Sequence, residues 1–258
     1  FFNPNIFTEY GKSLESGHHF KVMLGFQSEL FKQRDITASQ DGIMSEVATL
    51  NTTQTNAQNR GRYSEWATAG FFGRVNYDWK ERYLFTFSLR HEGSSRFGEN
   101  HKWGNFPAVS VGWRISDEKF MKGLSWIDDL KVRYDYGVTG NQEIGNYNSL
   151  ATYRAFGWYQ YNGNRFHVWG PSKNTNSELR WEKGHNQNVG LDFSLFSHKV
   201  TGSFNYFHRK QSDLLGDYSV PVPPNLFSTI YTNVGTLRNT GFELDVTVNA
   251  VRTKDFTY

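Results

Sequence analysis

The stretch RHEGSSRFGENHKWGNFPAVSVGW, residues 90–113, decides how the rest of the chain is read. Its second half alternates strictly. Val109, Val111 and Trp113 share one side, and Ala108, Ser110 and Gly112 the other, which is the period of a strand with two unlike faces. Its first half is a charged, glycine-rich loop, far longer than the two residues that suffice for a hairpin. Gly93 and Gly98 are expected to turn this loop, and Arg96, Glu99 and Lys102 to keep it solvated. Pro107 is expected at the start of the following strand, where a missing N–H is tolerated.

The same period recurs along the chain. Phe20, Val22, Leu24 and Phe26 alternate with polar or small neighbours, and so do Phe71 to Trp79, Tyr83 to Leu89, Leu130 to Val138, Val189 to Leu195, Val200 to Tyr206 and Phe242 to Val248. With a weaker segment at Ile6 to Lys12, the reading gives about nine strands and almost no helix. Connections differ in kind. Those at Lys80–Arg82 and Ser197–Lys199 are tight, and Ser116–Asp129 is compact, with room for one helical turn. The segments after Phe31, at 91–106, at Gly140–Leu179 and at Ser212–Tyr231 are long and polar. In an up-and-down sheet every second connection lies at the same end, so long loops gather at one end and short turns at the other. That asymmetry and the strand lengths fit an all-β, transmembrane, antiparallel up-and-down β-barrel, in which about 9–11 tilted residues cross the hydrocarbon.

Composition agrees. Of 258 residues, 17% are aromatic but only 37% hydrophobic, so rings supply much of the apolar surface. Mean hydropathy is −0.65. Trp79, Tyr83, Trp113 and Phe196 cluster near the short-turn end, where rings form an interfacial girdle. The opposite phase of the strands would place Arg74, Arg90, Arg114, Arg133 and Asp135 toward a wet lumen. A charge balance of 28 Lys+Arg against 25 Asp+Glu is too mild and too scattered for a nucleic-acid partner. No cysteine is present, which excludes disulfides and thiolate metal sites. No leader is visible, and the chain reads as part of a longer protein.

Catalytic patterns are weak. His18-His19 would point to opposite faces of a strand, which is poor for joint metal ligation. Ser94-Ser95 with His91 and Glu92 has no nucleophile-elbow context. Asp128-Asp129 reads as a solvated cap. The chain is therefore not expected to be an enzyme or to hold a metal or cofactor. One loop suits ligand binding. Tyr153, Trp158, Tyr159, Tyr161 and Trp169 combine flat rings with neighbouring amides and hydroxyls, which suits a glycan or peptide substrate.

Several longer segments resemble a known family. FFGRVNYDWKERYLFTFSLRHEGSSRFGENHKWGNFPAVSVGWRISDEKFM, then LKVRYDYGVTGNQEIGNY, NSELRWEKGHNQNVGLDFSLF and NVGTLRNTGFEL, occur in the order found in the barrel of SusC/RagA-type TonB-linked (TonB-dependent) outer-membrane transporters. Glu92, Ser177 and Thr240 are local departures from the family pattern. The resemblance implies a roughly 22-stranded barrel around a plug, of which residues 1–258 supply part of the wall. The plug and the N-terminal segment that contacts TonB would lie outside this sequence. It further implies the outer membrane of a Gram-negative bacterium, a SusD-like surface lipoprotein as lid, and energised import of oligosaccharides or peptides. Two alternatives are a passive porin or adhesin-like barrel, and a soluble glycan-binding β-sandwich.

Overall fold

The alternating segments do form strands. A computed structural model describes residues 1–41 and 55–249 of the chain. The strands are β1 (Asn5–Ser13), β2 (His18–Asp41), β3 (Thr55–Trp79), β4 (Tyr83–Ser94), β5 (Trp103–Arg114), β6 (Ile127–Asn141), β7 (Tyr153–Tyr161), β8 (Asn164–Pro171), β9 (Glu182–Leu195), β10 (Val200–Ser212), β11 (Leu215–Ser219), β12 (Thr229–Asn233) and β13 (Thr236–Val248). Nine of them form one antiparallel sheet in the order β1-β2-β3-β4-β5-β6-β9-β10-β13. The pairs β7-β8 and β11-β12 are separate two-stranded sheets.

Register gives the sheet two unlike faces. One row of partners runs Phe20, Tyr77, Phe85, Val111, Tyr134, Val189, Tyr206, Phe242 from β2 to β13. The adjacent row begins Lys21, Asn76, Thr86, Ser110, Asp135, Asn188. Apart from half-buried Tyr77, this apolar row is exposed, from Phe85 at 39% to Phe242 at 75%. A β-sandwich would bury that face under a second sheet; among the described residues nothing covers it. The polar face is tied together. Arg133 bonds Asp135 (3.2 Å), Asp192 (3.3 Å) and Asn205 (2.5 Å), and Ser110 donates to Asp135 (2.5 Å). Arg90 pairs with Glu92, and Arg114 lies 3.6 Å from Asp129.

Three expectations about the connections need correction. First, β2 and β3 continue to Asp41 and from Thr55, so most of the polar segment after Phe31 is an extended hairpin; residues 42–54 lie outside the described residues. Where both faces of a strand meet water, apolar alternation vanishes while backbone pairing continues. Second, the segments Gly140–Leu179 and Ser212–Tyr231 carry the hairpins β7-β8 and β11-β12. Third, the connection 115–126 is longer than the loop 95–102 at the opposite end, so length alone does not sort the two ends. The former is compact because it folds into two 3₁₀ turns, Ile115–Asp117 and Lys119–Met121.

Glu118 holds that turn in place. Its carboxylate accepts from the Tyr83 hydroxyl (2.6 Å) and the Trp113 indole N–H (3.1 Å) and pairs with Arg82 (3.2 Å). These bonds, the Tyr83 hydroxyl first and then the Trp113 indole, hold its pKa below the usual carboxylate range. A depressed folded pKa adds stability above the unfolded value, and that stability is lost as pH falls through the folded value. Glu118→Gln is therefore expected to weaken the clamp near neutral pH and to flatten the acid limb of the stability profile. Thermal unfolding of both proteins between pH 7 and pH 3 checks this; parallel profiles would refute it.

Candidate functional site

The described hydrophobic core lies at the long-loop end. It consists of Phe97, Phe106, Ile144, Leu179 and Trp181. Phe97 and Leu179 are 1% and 0% exposed. The core joins two stretches far apart in sequence, around SSRFG and LRWE. Trp181 packs against Phe97 and Phe106 at ring separations of 4.8 and 5.1 Å, and its indole N–H donates to the Lys102 carbonyl at 2.8 Å. The Gly98 N–H donates to the Leu179 carbonyl at 3.0 Å. A Cβ on Gly98 would lie 1.7 Å from the Ser177 carbonyl oxygen, so only glycine fits. Gly93 likewise makes room for the Trp103 ring. Neither glycine has a positive φ, so close packing, not turning, is their role.

Arg96 also departs from expectation. Its guanidinium lies 4.5 Å from the centroid of the Trp66 ring, and it donates to Asn146 and to the Gln142 carbonyl, each at 3.1 Å. Burial lowers its pKa, and all these partners are neutral. Arg96 therefore tethers the β6–β9 connection to β3 and does not serve as a solvating charge. Asn146 continues the tether to Ser64 at 2.6 Å, and Tyr147 accepts the Glu65 N–H at 2.8 Å. Beside these residues a cavity of about 320 Å³ is lined in part by Leu30, Trp66, Arg96 and Tyr147.

The third loop is stapled on by side-chain amides. Asn174 donates to the Phe227 and Thr229 carbonyls, Asn176 to the Tyr231 carbonyl and Asn233 to the Arg180 carbonyl. Arg180 pairs with Asp213 at 2.7 Å. Each amide supplies the irregular backbone with the partner it would otherwise lack. Lys173 donates to the Tyr147 carbonyl and to Asn148, and burial lowers its pKa. The three loops thus form one platform above the sheet.

The β7-β8 hairpin rises from this platform. Its turn is Asn162-Gly163, with φ of 47° and 78°, which is the Asn-Gly preference of a type I′ hairpin. Tyr161-Asn162-Gly163-Asn164 between ring-rich arms was the sequence signal for this hairpin, and counting Gly140–Leu179 as one loop missed it. All five expected binding residues lie on the hairpin, each more than half exposed. They do not converge on one surface. A bulge between Ala155 and Gly157 resets the register, so Tyr153, Trp158 and Trp169 share one face with His167 and Arg165. Tyr159 and Tyr161 lie on the other with Phe166 and Arg154. Trp158 and His167 are 3.5 Å apart, and Tyr159 stacks on Phe166 at 5.4 Å.

The apparent catalytic groups are absorbed structurally. The Ser95 hydroxyl accepts the Ala67 N–H, His91 bonds Asn105 at 2.7 Å and stacks on Trp103, and Glu92 pairs with Arg90. His18 and His19 bond Tyr77 and Ser13 on opposite faces. Asp128 accepts the His198 N–H, and Asp129 accepts from the Ser116 hydroxyl. Among the described residues no group of three His, Cys, Asp or Glu is placed to hold a metal.

The profile of the family described as TonB dependent receptor-like, beta-barrel, matches residues 2–258. The chain belongs to that family. This TonB-dependent receptor chain is 37% identical over its whole length to TonB-dependent receptor P39 of Formosa agariphila. It is 34% identical over 98% of its length to TonB-dependent receptor SusC of Bacteroides thetaiotaomicron. The chain spans 25% of each of those relatives. A RagAB peptide importer structure in its 'open-open' state superposes with a TM-score of 0.89 at 29% identity, covering 99% of this chain and 28% of that one. The siderophore receptor PirA of Pseudomonas aeruginosa shares the fold, with a TM-score of 0.57 at 11% identity. The receptor segment is thus part of an outer-membrane β-barrel of a Gram-negative bacterium, its apolar face toward lipid.

Proposed function

We propose that this receptor segment forms part of the wall of a transporter that imports oligosaccharides or peptides across the outer membrane. The carrying observation is the loop platform. The described hydrophobic core ties together the loops at one end of the sheet, beside an exposed aromatic hairpin, and in this reading that end faces the cell exterior. Such a device serves capture at the cell surface. Similarity to SusC and to RagAB supports the same reading. All of residues 1–258 belong to the wall in this proposal. The sheet edges at β1 and β13 pair with further strands of the whole protein, because unpaired backbone is not tolerated in lipid. A plug and a TonB-contact segment lie elsewhere in that protein, and a SusD-like lipoprotein docks on the loops. The import step moves substrate without covalent chemistry or a resident cofactor.

The test is uptake in the native host. Deleting the gene is expected to abolish accumulation of a fluorescently labelled substrate oligosaccharide or peptide. Deleting TonB, or collapsing the proton gradient, is expected to do the same. Uptake that survives both of the latter treatments would show a passive pore instead.

A further inference from the structure

The β7-β8 hairpin carries more specific information than its rings alone. Between Glu143 and Glu178 the sequence holds no Asp or Glu, yet it holds Arg154, Arg165 and Lys173. Lys173 is bound within the platform. Arg154 stacks on Phe156 at 4.7 Å. Arg165 has no hydrogen bond or ion pair among the described residues. By register it shares a face with Trp158, His167 and Trp169. Trp158 and His167 are 3.5 Å apart, His167 and Trp169 are 6.3 Å apart, and both tryptophans are at least 60% exposed. A row of open rings ending in an uncompensated guanidinium therefore faces solvent.

We propose that this face binds an anionic oligosaccharide, a chain of sugars bearing carboxylate or sulfate groups. The inference rests on the import reading above and names its substrate class. Rings stack on the apolar faces of successive sugars. The planar guanidinium of Arg165 takes the acidic group through paired, charge-assisted hydrogen bonds. The hairpin supplies no carboxylate to repel that group. A neutral glycan or an apolar peptide would leave the cation without a partner. The other hairpin face is the internal control, because its Arg154 already lies against Phe156.

The experiment uses the full-length receptor, purified with any lipoprotein that accompanies it, and calorimetric titration. The ligands are an oligogalacturonate, a sulfated galactan oligosaccharide, a neutral cello-oligosaccharide of equal length and an acidic peptide. Binding of at least one acidic glycan is expected, with the neutral one markedly weaker. Arg165→Gln should weaken the acidic glycan about tenfold, as loss of a hydrogen bond to a charged group does. Trp158→Ala should weaken acidic and neutral glycans alike, and Arg154→Gln should change little. The two sources of charge separate by which acidic glycan binds. Equal binding of acidic and neutral glycans, insensitive to Arg165→Gln, would overturn the anionic assignment and leave glycan import standing. Preference for the acidic peptide would overturn the glycan assignment. Binding of none of the four would overturn both the assignment and the role of the hairpin in capture. All three substitutions are at exposed positions of a separate two-stranded sheet, so the barrel folds in each.

Discussion

Trp181→Ala is expected to release the extracellular loops while leaving the barrel wall assembled. Trp181 is 3% exposed and joins Phe97 of one loop to the start of β9. Removing a buried tryptophan costs about 3–5 kcal/mol. Here it also removes the indole bond to the Lys102 carbonyl, although that oxygen keeps the Ser94 N–H at 3.0 Å, so most of the loss is packing. The sheet does not depend on this core, because its strands are held by ladder hydrogen bonds and by lipid on the apolar face. The damage therefore concentrates in the loops. Limited proteolysis of whole cells is the measurement. Cleavage within 142–178 and 95–102 should become rapid, while heat-modifiable mobility of the barrel persists. An unchanged digestion pattern would show that the loops are ordered by something other than this core. Trp181→Phe, which keeps a ring but not the N–H, should fall between the two.

Val109→Arg should be the most damaging substitution in the wall itself. Val109 pairs with Phe87 on one side and Tyr136 on the other, midway along the apolar face. A charge at the bilayer midplane of a barrel costs about 2–4 kcal/mol. Ser88→Glu, one step along the neighbouring strand, places a charge on the opposite face, with Arg74 as its cross-strand partner. It should be neutral or mildly stabilising, because opposite charges across a strand pair attract. Urea unfolding of the full-length receptor in detergent or bilayers measures both. Equal costs for the two substitutions would mean that the two faces do not divide lipid from lumen.

Much of this was legible beforehand because a strand half in lipid must alternate. Phe85, Val111, Tyr134 and Val189 each announced their face within a few residues of sequence, and β3 through β6 were placed on that basis. The signal failed above the membrane. Gln33, Asp35 and Thr37 lie in β2 as surely as Phe20 does, but water on both faces removes the selection that writes a pattern. The binding residues were found as a group for their chemistry. Their division between two faces was not, because it depends on a single-residue bulge at Ala155–Gly157.

The sequence by itself therefore determined the kind of sheet, the identity of its lipid face and the girdle at its turn end, since those are set by one-dimensional periodicity. Only the tertiary structure decided what the loop signature does. Phe97 and Trp181 are separated by the whole of β5, β6 and the β7-β8 hairpin, and nothing local requires them to meet. They meet because β5, β6 and β9 are neighbours in the sheet, which brings their loops together at one end and lets them bury rings that no single loop could shield. The same long-range packing turned Arg96 from a solvating charge into a tether and Gly98 from a turn residue into a contact with no room for a side chain.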